Sequence, residues 1–351
     1  MSKGTEWITN AINNQYIQQY EYSEFKNITK FEEGRFAHVK YADWPCSGRK
    51  VAIKELKSYD VQKLVEEVKI HCSSHSSKHV VRFFGLTKAP SNNRYMMIME
   101  YADLRSLRNF LSKEHVNISW QTRYKLSLDI AKGLYCLHSR NIAHCDLHTS
   151  NIVIKRTNAE TTCCHSEFIA QITDFGGAIS MKENVTGDSE DVGQYTFTDP
   201  KILNGLGKYK KDLRSDIYSL GVIFWEISSG KIPFKSYKPE TNDSHRDLCL
   251  TLAIINGLRE TPTCSTPKNY IELYKTCWEY EPSKRPMIEK IIETLETLKR
   301  TYRKDLNNNS NVLVKNLGEL DNNDNKLGQR KGVKRFAEVS FKSQESKKVK
   351  V

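Results

Sequence analysis

Apolar positions change period along the chain, and those changes divide it into regions. Between Met1 and Tyr22, residues Trp7, Ile8, Ala11, Ile12, Tyr16, Ile17 and Tyr20 recur at three- and four-residue spacing. That spacing predicts a short helix with one apolar stripe. Its polar side carries few basic residues, so the expected role is packing on the following domain rather than lying on a membrane. From about Phe25 to Tyr101 the period shortens to two: VKY and KVAIKEL alternate, while HVVRFFGL and YMMIMEY are apolar runs of strand length. KLVEEVKIHC interrupts them with helical spacing. From Ser106 to Arg300, segments such as SWQTRYKLSLDIAKGLYCLHS and SDIYSLGVIFWEISS restore the helical period, broken by strand-like NIVIK and AQITDF. After Tyr302 the periodicity fades into NNNSN and DNNDN and then lysines, a composition expected to stay disordered.

Composition narrows the classes. With 351 residues the chain has room for one large domain or two ordinary ones, each with a real core. Hydrophobic content of 38% and charged content of 27% fit a soluble globular protein with a polar extension. The longest apolar runs are too short for a membrane span, and the first residues lack an apolar secretory core. The expectation is a cytoplasmic protein without a membrane partner. Nine cysteines without framework spacing suit reduced thiols, and Cys163, Cys164 and His165 form no CxxC pair, so a polar loop is expected there.

The net charge of +12 matters less than its distribution: half of it falls between Arg330 and Val351. A basic tail is expected, not a nucleic-acid-binding face, so no direct nucleic-acid partner is expected. Lys334-Arg335 followed by KKVKV has the spacing of a bipartite nuclear-import signal. An import receptor is therefore a candidate partner, and the nucleus a second address, beside the plain reading of solvated lysines.

The chemistry concentrates in IAHCDLHTSN, Ile142–Asn151. His144 and His148 could be ligands of a metal-dependent hydrolase, but they fall in a helix-to-strand connection rather than on one helix face. VAIK (Val51–Lys54) sits on a strand, a glutamate follows in the next helix, HCDLHTSN follows a long helix, and DFG (Asp174–Gly176) follows a strand. This order resembles the eukaryotic protein kinases over roughly Phe25 to Arg300. SDIYSLGVIFWEISSGKIPF and CWEYEPSKRP look like the tyrosine-kinase-like branch. The resemblance implies an α+β, two-lobed protein kinase-like fold: a small β-rich N-lobe (about 25–101) with one regulatory helix, and a larger helical C-lobe (about 102–300). A helical extension, 1–24, precedes it, and a disordered basic tail, 301–351, follows.

The resemblance also implies ATP and Mg²⁺ as cofactors and protein substrates as partners. Lys54 would hold the α/β-phosphates, aimed by Glu66 or Glu67, with the kinase register favouring Glu67. Asp146 would accept the substrate hydroxyl proton. Asn151 and Asp174 offer hard oxygen ligands suited to Mg²⁺. By the same register Val39 and Ala52 would roof the adenine and Val153 would floor it. The backbone of Glu100–Ala102 would bond its edge, and Met99 would line the back of the pocket.

Four departures bear on activity. The phosphate-cradling loop retains only Gly34, in EEGRFAHV, so weaker ATP binding is expected. Cys145 replaces an arginine that normally pairs with a phosphorylated activation segment, so phosphorylation of Thr186, Ser189, Tyr195, Thr196 or Thr198 is not expected to be the main on-switch. His148 stands where a serine/threonine kinase usually has lysine, which leaves only a lean toward Ser/Thr acceptors. In Asp199-Pro200-Lys201 the lysine would repel Arg285, and Asp199 is the expected substitute partner, a pairing that exchanging the two charges should preserve. The expected function is an active ATP–Mg²⁺ protein kinase; the alternative is a pseudokinase acting as a nucleotide-binding scaffold or signalling adaptor.

Overall fold

The computed structural model describes residues 2–33, 37–57, 59–157, 168–181, 194–205, 209–239 and 245–324. The chain divides into two units, Met1–Lys299 and Arg300–Val351. Gly34, Cys163, Cys164, His165, Thr186, Ser189 and the basic stretch 330–351 lie outside the described residues.

Helix α1 (Lys3–Asn13) starts at Ser2, whose hydroxyl accepts the Thr5 N–H at 3.3 Å. It is shorter than its apolar stripe predicts. Asn13 and Asn14 are weak helix formers, and Gln15 takes φ 59, which ends the helix. Tyr16 is consequently 81% exposed, while Ile17 turns back into the core.

Five antiparallel strands follow: β1 (Lys26–Glu33), β2 (Ala37–Trp44), β3 (Arg49–Leu56), β4 (Phe83–Lys88) and β5 (Tyr95–Glu100), in the order β1-β2-β3-β5-β4. Helix α2 (Val61–Ser74) lies between β3 and β4 in sequence. Asp60 caps it by accepting the N–H groups of Gln62 and Lys63. HVVRFFGL is not one strand: only Phe83 onward joins the sheet, and the Val81 N–H goes instead to the Ile172 carbonyl at 2.9 Å. That bond ties the sheet lobe to the helical lobe.

The helical lobe contains α3 (Leu107–Glu114), α4 (Trp120–His138), a pair of two-residue strands β6 (Ile142–Ala143) and β9 (Ile179–Ser180), and the hairpin β7 (Ile152–Arg156) with β8 (Phe168–Ile172). After them come α5 (Pro200–Leu203), α6 (Leu213–Ser229), α7 (Arg246–Ile255), α8 (Lys268–Cys277) and α9 (Ile288–Asp324). Every residue of α6 from Ser215 to Ser229 is buried, which suits a helix that is apolar nearly all round and packs on α4 and α8. At Gly221 an added Cβ would lie 2.9 Å from Cys277 Cβ and 3.0 Å from the Trp278 nitrogen, so glycine permits the α6–α8 approach.

Helix α9 corrects one expectation. Disorder is expected after Tyr302, yet the helix runs through Asp324. Its first turns are anchored by buried Ile288, Ile291 and Leu295, and no proline follows Pro286. Once nucleated, a helix propagates at small cost per residue. Among the described residues no helix is long and apolar enough to cross a membrane.

Candidate active site

Lys54 is the centre of the site. Its strand β3 pairs it with Val39 on one side and Met97 on the other, so its backbone is fixed in mid-sheet. The ammonium lies 2.5 Å from Glu67 Oε1 and 2.7 Å from Asp174 Oδ1, and the side chain is only 5% exposed. Burial opposes its charge, but the two carboxylates override that and hold its pKa above the ordinary lysine value. The structure also separates the two candidate glutamates. Glu67 is buried against Lys54, whereas Glu66 is exposed and accepts from Gln62 at 3.2 Å.

The loop between β6 and β7 is held from below by Asp216, near the start of α6. Its carboxylate accepts the N–H of His144 at 2.8 Å and of Cys145 at 2.9 Å, and meets His138 Nε2 at 2.9 Å. These bonds secure Cys145 at φ 64, a conformation non-glycine residues adopt only at a cost. Asn151 Nδ2 donates to the Asp146 carbonyl at 2.9 Å, which fixes the orientation of the amide. Burial pushes the Asp146 carboxyl up, but His148 more than offsets this and the net shift is downward, which keeps the carboxylate ionised at neutral pH. His148 Nδ1 accepts the Ser150 N–H at 3.2 Å, so in the neutral ring Nε2 carries the proton, 3.7 Å from Asp146 Oδ2.

The histidine pair does not form a metal site. His144 Nε2 meets the Thr173 carbonyl at 3.1 Å and Nδ1 meets the Asp146 N–H at 3.4 Å, so both nitrogens are committed. Among the described residues no cluster of three His, Cys, Asp or Glu side chains could hold a metal ion.

Asp174 takes φ 65 and its carboxyl is opposed by burial but held below the ordinary range by Lys54. Phe175 is buried, its ring centroid 4.7 Å from His71 and 5.5 Å from His144. His71 in turn lies 5.9 Å from Phe83. Four rings therefore form a column from the catalytic loop through α2 to β4. Neither His71 ring nitrogen has a hydrogen-bond partner. Burial first, and then the Lys54 charge, lower its pKa to about 3, so it is neutral in the fold.

The residues expected by register to line an adenine slot lie on or beside strands of the two lobes. Ala52 pairs with Met99 across β3 and β5, Val39 is half-buried on β2, and Val153 on β7 packs against the same apolar cluster. Met99 and Ala102 are buried, and the Glu100 carboxylate is held by Lys155 at 2.5 Å and Gln171 at 2.9 Å. Beside this strip sit three residues that the sequence reading misses. Phe31, Tyr41 and Tyr101 form an aromatic triangle with centroids 5.7 to 5.8 Å apart, and the Arg105 guanidinium stacks 5.1 Å over Phe31.

Asp216 and the buried Glu226 are missed too. Glu226 accepts from Arg108 at 3.2 Å and Thr149 at 3.0 Å, and burial raises its pKa to about 7. An acidic residue inside an otherwise apolar helix was the available signal for both. At the end of the activation segment Arg285 pairs with Asp199, both fully buried, while Lys201 turns away to Glu281 at 2.8 Å.

Comparison with known proteins agrees with this geometry. The family model for protein tyrosine and serine/threonine kinases matches residues 25–295. A probable serine/threonine-protein kinase of Dictyostelium discoideum is 30% identical over 290 residues, 80% of this chain and 32% of the relative. From the same organism, a stress-activated protein kinase alpha is 27% identical over 76% of this chain and 41% of its own length. A dual specificity protein kinase is 27% identical over 82% of this chain and 20% of its own length. The chain thus spans less than half the length of these curated relatives. With Lys54, Glu67 and Asp174 gathered on one cation and the family match covering both lobes, the chain belongs to the protein tyrosine and serine/threonine kinase family.

Proposed function

We propose that this chain is an ATP- and Mg²⁺-dependent protein kinase of the tyrosine-kinase-like branch that phosphorylates serine or threonine in protein substrates. The observation that carries the reading is the single ammonium of Lys54 held by carboxylates from α2 and from the segment after β8. Phosphoryl transfer needs positioning and charge neutralisation more than covalent chemistry, and this arrangement presents a fixed cation to a polyanionic substrate. Asp146, ionised and half-screened by His148, is the base for the acceptor hydroxyl. Asn151, with its amide nitrogen spent on Asp146, and Asp174, with Oδ1 on Lys54, each keep a hard oxygen that suits Mg²⁺. They would hold the ion, which when bound neutralises charge on the phosphates.

The Ser/Thr assignment is supported by the name of the 30% identical relative and by His148, whose Nε2 proton offers a donor where a phosphate oxygen would arrive. A labelled-ATP assay with matched serine, threonine and tyrosine peptides tests both parts. Transfer to serine or threonine that disappears in Asp146→Asn is expected. Nucleotide binding without transfer would overturn the enzymatic reading, and transfer confined to tyrosine would overturn the acceptor.

A further inference from the structure

The family match begins at residue 25, yet the residues before it are built into the core of the sheet lobe. Ile8, Ala11 and Ile17 are 0%, 6% and 4% exposed, and they share one apolar cluster with Leu64, Val65 and Val68 of α2. The same cluster contains Met97 and Met99, the second of which is expected by register to line the back of the adenine slot. Trp7 and Ile12 pack at its margin, and Lys69 of α2 places its ammonium 5.3 Å over the Trp7 ring.

The contact is close as well as apolar. An added Cβ at Gly4 would lie 3.0 Å from Val61 Cγ1 and 3.3 Å from the Val61 carbonyl carbon, so α1 meets the first turn of α2 nearly backbone to backbone. Beyond the turn at Gln15 the chain crosses to the sheet, where Leu86 N–H donates to the Gln18 carbonyl and Tyr20 N–H to the Leu86 carbonyl, each at 2.9 Å. The segment is therefore fastened at two points, one on α2 and one on β4.

Helix α2 carries Glu67, and its other buried side chains, Leu64, Val65, Val68, Ile70, His71 and Ser74, decide how it is rotated. A rotation of α2 would carry the Glu67 carboxylate away from Lys54, because the bond of 2.5 Å has no slack. We propose that residues 1–20 are a positioning element for the phosphoryl-transfer reaction: α1 clamps α2 in the rotation that joins Glu67 to Lys54, with Gly4, Trp7 and Ile8 as positioning residues. This inference rests on the kinase reading. It adds that the sheet lobe needs an element from outside the family's span to hold its catalytic ion pair.

The test compares full-length wild type with Ile8→Asp, Gly4→Val and the conservative Ile8→Leu. Measured are kcat, KM for ATP, melting temperature and hydrogen exchange in 61–74. In Ile8→Asp and Gly4→Val, kcat is expected to fall by about 10²-fold, the scale of a misplacement of roughly 1 Å at a reacting group. Exchange should rise in α2 while α4 and α6 remain protected, and Ile8→Leu should behave as wild type. Should Ile8→Asp fail to fold, Gly4→Val decides alone. A folded Gly4→Val or Ile8→Asp with faster exchange in α2 but wild-type kcat overturns the proposal, as does unchanged exchange in α2. Wild type that transfers no label, with the Asp146→Asn control, would instead overturn the kinase reading itself.

Discussion

Arg285 and Asp199, 86 residues apart in sequence, form an ion pair in which neither side chain touches solvent. The guanidinium also donates to the carbonyls of Glu279, Tyr280 and Arg214, so four of its five N–H donors are used. Breaking a buried pair by removing one partner typically costs about 3–5 kcal/mol, because the survivor stays buried without its counter-charge. Asp199→Ala is therefore expected to lose stability on that scale in denaturant unfolding. Exchanging the two charges is not expected to restore it. An aspartate at 285 would face three carbonyl oxygens that the guanidinium now serves. Full recovery in the exchanged double variant would contradict this account.

Lys201 and Glu281 make the instructive contrast. Their side chains are 26% and 47% exposed, and solvent screens the pair. Glu281→Ala is expected to change stability by less than about 1 kcal/mol, the range of surface ion pairs. A loss as large as that of Asp199→Ala would show that the pair is shielded in solution.

His71 sets an acid limit on the fold. Its pKa falls from the ordinary histidine value to about 3, so between those values the unfolded chain binds the proton and the folded chain does not. Stability therefore falls as pH drops below about 6.5, by roughly 1 kcal/mol between pH 7 and pH 5.5. His71→Met fills the same space without a titrating group. It is expected to flatten that part of the stability–pH curve; an unchanged slope would remove His71 as its source.

Thiol chemistry offers a further check. Burial, with the Asp216 charge adding to it, holds the Cys145 thiol well above its ordinary pKa. Cys46 and Cys264 are exposed. Since the thiolate is the reactive form, brief alkylation of the native protein should label Cys46 and Cys264 and spare Cys145 and buried Cys277. Peptide mapping by mass spectrometry would read this directly, and early labelling of Cys145 would mark it as reactive.

Contiguous motifs made part of the site legible before any coordinates. Lys54, Asp146, Asn151 and Asp174 each sit in a short run whose neighbours also carry meaning; the structure sets Lys54 against Asp174 and Asn151 against Asp146. The kinase register favours Glu67 over Glu66, and the fold shows the physical difference: adjacent residues on a helix present different faces, and Glu67 is the buried one. Asp199 as partner of Arg285 was legible by register; Glu281 as partner of Lys201 was not, since nothing local joins positions 80 apart. His71 looked like one more polar position in KLVEEVKIHC, and its lack of partners is a property of packing alone. The apolar stripe runs past the end of α1 because apolar spacing does not register a turn: Ile17 is buried without being helical, and Tyr16 beside it is exposed.

The attachment of Gln18 and Tyr20 to Leu86 has a consequence for how the protein behaves in a crowd. β4 is an end strand of the sheet, and a bare end strand invites any extended chain to add itself. Here the protein's own leading segment fills the place, and Gly85 admits it: a Cβ there would lie 2.3 Å from the Gln18 carbonyl oxygen. A side chain at position 85, or release of residues 18–20, would uncover the N–H and carbonyl of Leu86 on β4. At Leu86, therefore, this edge of the sheet is already paired within the chain and closed to an incoming strand.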